Sequence, residues 1–217
     1  MALAIFDLDE TLIHGDCASL WSAQMGRLGW VDGQSFLKKD AELMDAYGKG
    51  HLRMEDYMVF SLEPVAGRTP EEVEHLVEPW VEDFIEPIIF SDACKTIAEH
   101  RKAGDRILII SASGTHLVKP IAARLGVDEF LGIDLEIKNG VYTGNTVGTL
   151  TYREGKITRL LEWLDQEEEN LEGAYFYSDS RNDLPLLRKV DNPRVVNPDP
   201  VLLEEAEKGG WPIYQWT

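Results

Sequence analysis

The sequence predicts an α/β protein, a doubly wound and mostly parallel sheet with an all-helical cap inserted after its first strand. Three observations predict it. The chain opens on the apolar run Leu3-Ala4-Ile5-Phe6, the continuous kind of run found in a strand covered on both faces. Residues 17–86 then show helical spacing of apolar side chains and no convincing strand. From Ser91 onward, short apolar runs alternate with helical segments, which is the βαβ pattern of a parallel sheet. The expected division is a core of residues 1–16 and 87–217 and a helical cap of residues 17–86.

Each element has its own signal. After the first strand, Asp7-Leu8-Asp9-Glu10-Thr11-Leu12 opens into a loop, and Leu20, Trp21, Gln24, Met25 and Leu28 mark a helix over 18–28. Helices follow over 35–47, 54–62 and 70–85; Thr69 is the N-cap of the last, Pro70 occupies its first position, and Pro79 and Pro87 break its tail. The cap residues Met44, Met54, Met58 and Phe60 read as the cap's own packing. A helix over 91–103 stops at Gly104, and the second buried strand, Arg106 to Ile110, ends in Ser111-Ala112-Ser113-Gly114. A helix over 115–125 comes next. Asn139-Gly140 then joins strands 133–138 and 141–147 as a hairpin. A helix over 155–164, a strand 174–177, a short helix 184–190, a strand 194–196, a helix 200–208 and a last strand near Ile213 complete the chain. The acidic run 165–169 reads as a solvated helix end.

Composition narrows the function. With 217 residues and 44% hydrophobic content the chain can bury a full core. A formal net charge of −18 argues against a nucleic acid partner, because phosphate backbones are met by basic faces. The two cysteines, Cys17 and Cys94, have no zinc-ligand spacing and cannot make a disulfide framework, so a reducing cytoplasm is the simplest compartment. No basic leader or long apolar segment suggests a membrane.

Ligands of an open α/β sheet gather beyond the carboxyl ends of its strands. There the first strand offers Asp7 and Asp9, two carboxylates suited to sharing a hard cation such as Mg²⁺. The second offers the Ser111 hydroxyl and the amides of Ala112 and Ser113, a fit for phosphate oxygens. The strand ending at Tyr177 offers Ser178-Asp179-Ser180-Arg181-Asn182-Asp183, and Lys156 opens the helix before it. Singly, Ser111 reads as an N-cap, Lys156 as a surface charge, and Asp179 and Asp183 as helix caps. Jointly, several strand ends supply phosphate-and-metal chemistry, which favours a functional reading.

Asp7-Leu8-Asp9-Glu10-Thr11-Leu12, Ser111, Lys156 and Ser178-Asp179-x-x-Asn182-Asp183 resemble, in order, the four motifs of the haloacid dehalogenase superfamily. The helical insert directly after the first motif resembles its phosphoserine phosphatase-like branch. The resemblance implies a Mg²⁺-dependent phosphatase acting on a small phosphorylated metabolite, as a monomer or homodimer. It implies Asp7 as nucleophile and Asp9 as general acid and base. Asp7, the Asp9 carbonyl and Asp179 would hold the metal with Asp183 in support, and Ser111, the Ala112 amide and Lys156 would hold phosphoryl oxygens, with Asn182 on the substrate side.

Asp16 lies where phosphoserine phosphatases place the acid that takes the substrate amine. Their carboxylate-binding Arg is replaced here by Ser61 or a neighbour. An amine-bearing alcohol phosphate such as histidinol phosphate therefore ranks ahead of phosphoserine, unless Arg53 swings in to restore a carboxylate partner. A phosphotransferase would share every motif. A receiver-type signalling domain fits worse, lacking the insert, and a non-catalytic scaffold fits worst. His14 and His116 follow motifs and read as solvent-facing or capping residues.

Overall fold

Strand formation at the N-terminus follows a period of two. In β1 (Leu3–Phe6) the side chains of Leu3 and Ile5 enter one apolar cluster and those of Ala4 and Phe6 another, so both faces of the strand are buried. In this computed structural model, which describes residues 2–217, β1 lies between β2 (Arg106–Gly114) and β5 (Tyr175–Ser178), parallel to both. With β3 (Glu129–Lys138), β4 (Val141–Val147), β6 (Asn192–Val196) and β7 (Ile213–Tyr214) they form one sheet in the order β4-β3-β2-β1-β5-β6-β7. Only the β3–β4 pair is antiparallel among the described strands. Asn139 and Gly140 both take positive φ at its turn, 54° and 79°, as a type I′ hairpin demands. The α/β fold expected from sequence is the fold observed.

The sheet is covered on both faces. One cluster packs α5 (Ser91–Ala103) and α6 (Thr115–Arg124) against Phe6 and Ile109; the other packs α7 (Glu154–Gln166), α8 (Leu184–Leu187) and α9 (Pro200–Gly209) against Ile5 and Phe176. Between β1 and β2 the chain is helical: α1 (Cys17–Arg27), α2 (Gly33–Gly48), α3 (Met54–Leu62) and α4 (Pro70–Trp80). Trp21 anchors this block, meeting Trp30 and Trp80 edge-on at 5.9 and 5.2 Å. A third cluster joins Leu52, Met54, Met58 and Leu62 of the insert to Ile133 and Leu135 of β3, so the insert lies over the carboxyl end of the sheet.

Several boundaries differ from expectation: β2 runs on from Ile110 through Ser111 to Gly114, its pairing with β3 shifting on the way, and two other differences have a clear cause. The helix starting at Pro70 runs past Pro79 but ends at Trp80, and Val81–Ile85 forms a π turn followed by a 3₁₀ turn at Glu86–Ile88. Pro79 supplies no N–H to the preceding turn, and the wider turn takes up the slack. β3 begins at Glu129 rather than at residue 133, because its first residues, Glu129-Phe130-Leu131, pair with Leu108-Ile109-Ile110 of β2. That pairing is a long-range cause which local alternation does not show.

Candidate active site

Asp7 is fixed where β1 ends. Its backbone N–H donates to the Tyr177 carbonyl at 2.9 Å, and the chain then turns sharply, the Leu8 carbonyl accepting from the amides of Leu12 and Ile13 at 2.8 and 3.2 Å. The Asp7 carboxylate is buried and accepts a hydrogen bond from Lys156 Nζ at 2.9 Å. Lys156 also donates to Asp183 at 2.8 Å, and Asp183 accepts from the Ser178 hydroxyl at 2.7 Å. The start of α7 is set by close packing: a Cβ on Gly155 would lie 1.9 Å from the Leu150 carbonyl oxygen, so the residue before Lys156 has no room for a side chain.

Asp9, two residues on, is held by different partners. One carboxylate oxygen accepts from the Cys17 N–H at 2.7 Å, the other from the hydroxyls of Ser113 at 2.9 Å and Ser111 at 3.3 Å. Ser111 is fully buried, its own oxygen accepting from the Ser113 N–H at 3.0 Å and its carbonyl from the Thr151 hydroxyl at 2.5 Å. Asp179, after β5, accepts from the Thr11 hydroxyl at 3.1 Å. Asp16 is the N-cap of α1 and accepts from the Ser19 N–H at 2.7 Å.

These strand ends open into one cavity of about 250 Å³. Its floor is Asp7, Asp9, Ala112 and Asp179 from the core, and its far wall is Ala18, Met44, Tyr47, Met54 and Tyr57 from the insert. Among the described residues six acidic side chains line it, Asp7, Asp9, Glu10, Asp16, Asp179 and Asp199, and no basic one does. The electrostatics follow. Burial, opposed by Lys156 and reinforced by Asp183 and Asp9, pushes the Asp7 carboxyl up to about 8. Burial and then the charges of Asp7 and Asp183 drive Asp179 well above the usual carboxylate range, and burial followed by Asp9 pushes Asp16 to about 8. Burial disfavours the charge on Lys156, but Asp183 and Asp7 outweigh it and keep the ammonium protonated.

Several expected site residues stand behind the cavity wall. Ser111, Lys156 and Asp183 do not line it and reach it through Asp9 and Asp7. Asn182 was expected on the substrate side; instead its side chain joins core to insert, accepting from Arg153 Nε at 3.1 Å and donating to the Tyr47 carbonyl at 3.4 Å. Met44 and Met54 line the cavity rather than serving only to pack the insert, whereas Phe60 does pack, stacking on Phe36 at 4.3 Å. Arg53 is exposed, 3.7 Å from Asp56, and Ser61 lies outside the cavity. His14 is exposed, as expected, but His116 is half-buried with Nδ1 enclosed and unpartnered.

A protein-family model for haloacid dehalogenase-like hydrolases matches residues 4–188. The chain belongs to that family. A histidinol-phosphatase of Neisseria meningitidis serogroup C is 38% identical over 215 residues, covering 97% of each chain. A crystal structure of a Bordetella pertussis protein of unknown function superposes with a TM-score of 0.91 at 35% identity, over 98% of this chain and 97% of that one. A phosphoserine phosphatase solved as an analogue of its phospho-aspartyl intermediate shares the fold, with a TM-score of 0.72 at 21% identity over 99% of this chain and 92% of that one. As a haloacid dehalogenase-like hydrolase the chain is of the phosphatase kind. Sequence reasoning missed Thr11, the hydroxyl of Ser113, Tyr47, Tyr57 and Arg153 around the site. Thr11 and Ser113 lie beside motif residues and were open to notice, but nothing local distinguishes the tyrosines from packing.

Proposed function

We propose that this phosphatase hydrolyses a small phosphate ester bearing an amine and no carboxylate, such as histidinol phosphate, through a phosphorylated Asp7. The observation that carries the substrate reading is the wall chemistry: Asp16 faces a cavity with six acidic side chains and no basic one. An ammonium gains a charge partner there. A substrate carboxylate would meet six acids and no cation, with only the neutral groups of Tyr47, Tyr57, Ser113 and Ser180 beside them, and lacking a charge-assisted partner it loses on the order of 1.5–3 kcal/mol.

The donor set supports a resident Mg²⁺. Asp7 and Asp179 bring two carboxylates whose pKa values both rise, through burial first and then through neighbouring carboxylates, Asp183 among them, while the Asp9 side chain accepts from Cys17, Ser111 and Ser113. Mg²⁺ is commonly held by one or two carboxylates and takes its other oxygens from water and phosphate. Asp7, Asp179 and the Asp9 carbonyl would hold it, with Asp183 supporting from behind. When bound it would offset the repulsion between carboxylate and phosphate.

The protein's own groups then divide the work. The free Asp7 oxygen attacks phosphorus while Lys156 orients the other. The Ala112 amide at the cavity floor favours the charge that builds on phosphoryl oxygens, with Lys156 and the Ser111 hydroxyl acting from behind Asp7 and Asp9. Asp9 gives its proton to the leaving alkoxide, then takes one from the water that opens the acyl-phosphate. The insert's wall keeps other water away. A panel of phosphorylated metabolites assayed with Mg²⁺ tests this: histidinol phosphate and other amine-bearing esters should lead, and a clear preference for phosphoserine would contradict the substrate reading.

A further inference from the structure

The Asp9 side chain ends in an sp³–sp² torsion, whose preferences are broad and roughly two-fold, so nothing within the side chain decides where its carboxylate faces. Its partners must decide. Oδ1 accepts from the Cys17 N–H at 2.7 Å, and Oδ2 accepts from the Ser113 hydroxyl at 2.9 Å and from that of Ser111 at 3.3 Å. An O–H···O bond prefers about 2.7 Å and seldom exceeds about 3.0 Å, so of the two hydroxyls Ser113 is the one that grips Oδ2. Ser113 also sets the other hydroxyl, because its N–H donates to the Ser111 oxygen at 3.0 Å.

The grip depends on an irregular strand. In the β2–β3 pairing Ile110 lies opposite Leu131 and Gly114 opposite Ile133, so Ser111, Ala112 and Ser113 together face the single residue Gly132. Extra residues in one strand bend it and re-aim its side chains. Gly132 provides the room: a Cβ there would lie 3.0 Å from the Ser113 carbonyl oxygen and 3.1 Å from the Thr115 side chain. Ser113, only 6% exposed, is thereby fixed in the wall of the active-site cavity beside Asp9.

We propose that Ser113 is the positioning residue of the acid step: its hydroxyl, aimed by the β2 irregularity over Gly132, holds the Asp9 carboxylate towards the oxygen that leaves phosphorus. This rests on the phosphatase reading above. In that step the ester P–O bond breaks as the bond from Asp7 to phosphorus forms, and a proton passes from Asp9 to the ester oxygen. Ser113 acts through Asp9. Without its hydroxyl, Oδ2 is left to the longer Ser111 contact, and the carboxylate swings about the bond from Cys17.

A well-aimed acid matters in proportion to how much the leaving oxygen needs a proton. An alkoxide needs one, whereas p-nitrophenolate, a far weaker base, leaves without it. The test measures kcat/KM for histidinol phosphate and for p-nitrophenyl phosphate, with Mg²⁺, in wild-type enzyme, Ser113→Ala and Ser113→Thr. Taken as a ratio within one preparation, the two values do not depend on how much of the variant is folded. Ser113→Ala should lower the ratio of histidinol phosphate to p-nitrophenyl phosphate about tenfold, a fraction of what general acid catalysis supplies. Ser113→Thr keeps a hydroxyl and should stay near the wild-type ratio. An unchanged ratio in Ser113→Ala overturns the assignment and leaves the phosphatase reading intact; an equal fall in both variants also overturns it, by marking Ser113 as packing. Wild-type enzyme that cleaves neither ester contradicts the phosphatase reading and this assignment together.

Discussion

Lys156 is the residue on which the buried charges balance. With 3% of its side chain exposed it spans Asp7 and Asp183, each within 3 Å; Asp183 is enclosed and Asp7 shows only a small surface to the cavity. Removing one partner of a buried ion pair leaves the others uncompensated and costs about 3–5 kcal/mol. Lys156→Ala should therefore lower stability by that order in metal-free protein, read by denaturant unfolding, and a loss within the noise would show that Lys156 does not carry this balance. Asp16 predicts a pH dependence. Its folded pKa, about 8, lies above the ordinary value, so between roughly pH 4 and 8 the folded protein holds a proton that the unfolded chain has lost. Stability contributed by this group is full below pH 4 and is lost as pH rises towards 8. An amine-bearing ester wants the ionised form, so its KM should fall over the same climb. Asp16→Asn keeps an N-cap oxygen for Ser19 and should reduce both slopes, in thermal melts and steady-state kinetics, leaving the part that Asp7 and Asp179 contribute in the same window; unchanged slopes would remove Asp16 from the amine site.

At the scale of elements, Arg153 ties insert to core. Its guanidinium donates to the Gly50 carbonyl in the α2–α3 connection and to Asn182 after β5, and lies over the Tyr152 ring. Its backbone sits at φ 52° and ψ −121°, a conformation costing a non-glycine residue on the order of 1–3 kcal/mol, and the three contacts hold it there. Arg153→Ala should loosen the insert, raising KM several-fold and exposing the 48–53 connection to limited proteolysis; wild-type cleavage rates would contradict the tie. These links also mark where sequence reading stopped. Asp7, Asp9 and Asp179 were legible because each follows an apolar run where the strand gives way to a loop, and Ser111 because it follows the apolar run ending at Ile110, although β2 itself continues to Gly114. Tyr47, Tyr57, Met44 and Met54 were not, because helical spacing shows that a helix has an apolar face without showing whether that face meets its own block or overhangs another. Asn182 was misplaced for a related reason: its motif position is local, but Arg153 and Tyr47, which claim its side chain, come from elsewhere in the chain.

For the whole molecule, the surplus of negative charge converges on the place where a cation is wanted. The chain carries a formal −18 and concentrates six acids around one cavity. Mg²⁺ that binds the folded state alone adds stability in proportion to occupancy, about 2.7 kcal/mol at a hundredfold excess over Kd. The midpoint of wild-type protein should rise with added Mg²⁺ and that of Asp179→Ala should not; equal rises would place the ion elsewhere. The most direct test is chemical. Turnover of histidinol phosphate with Mg²⁺ is quenched in borohydride, which reduces an aspartyl-phosphate to homoserine, and the peptides are sequenced by mass spectrometry. Homoserine at position 7 in wild-type enzyme, and its absence in Asp7→Asn, is the predicted result; active turnover with Asp7 unreduced, or with another residue reduced in its place, would contradict the account.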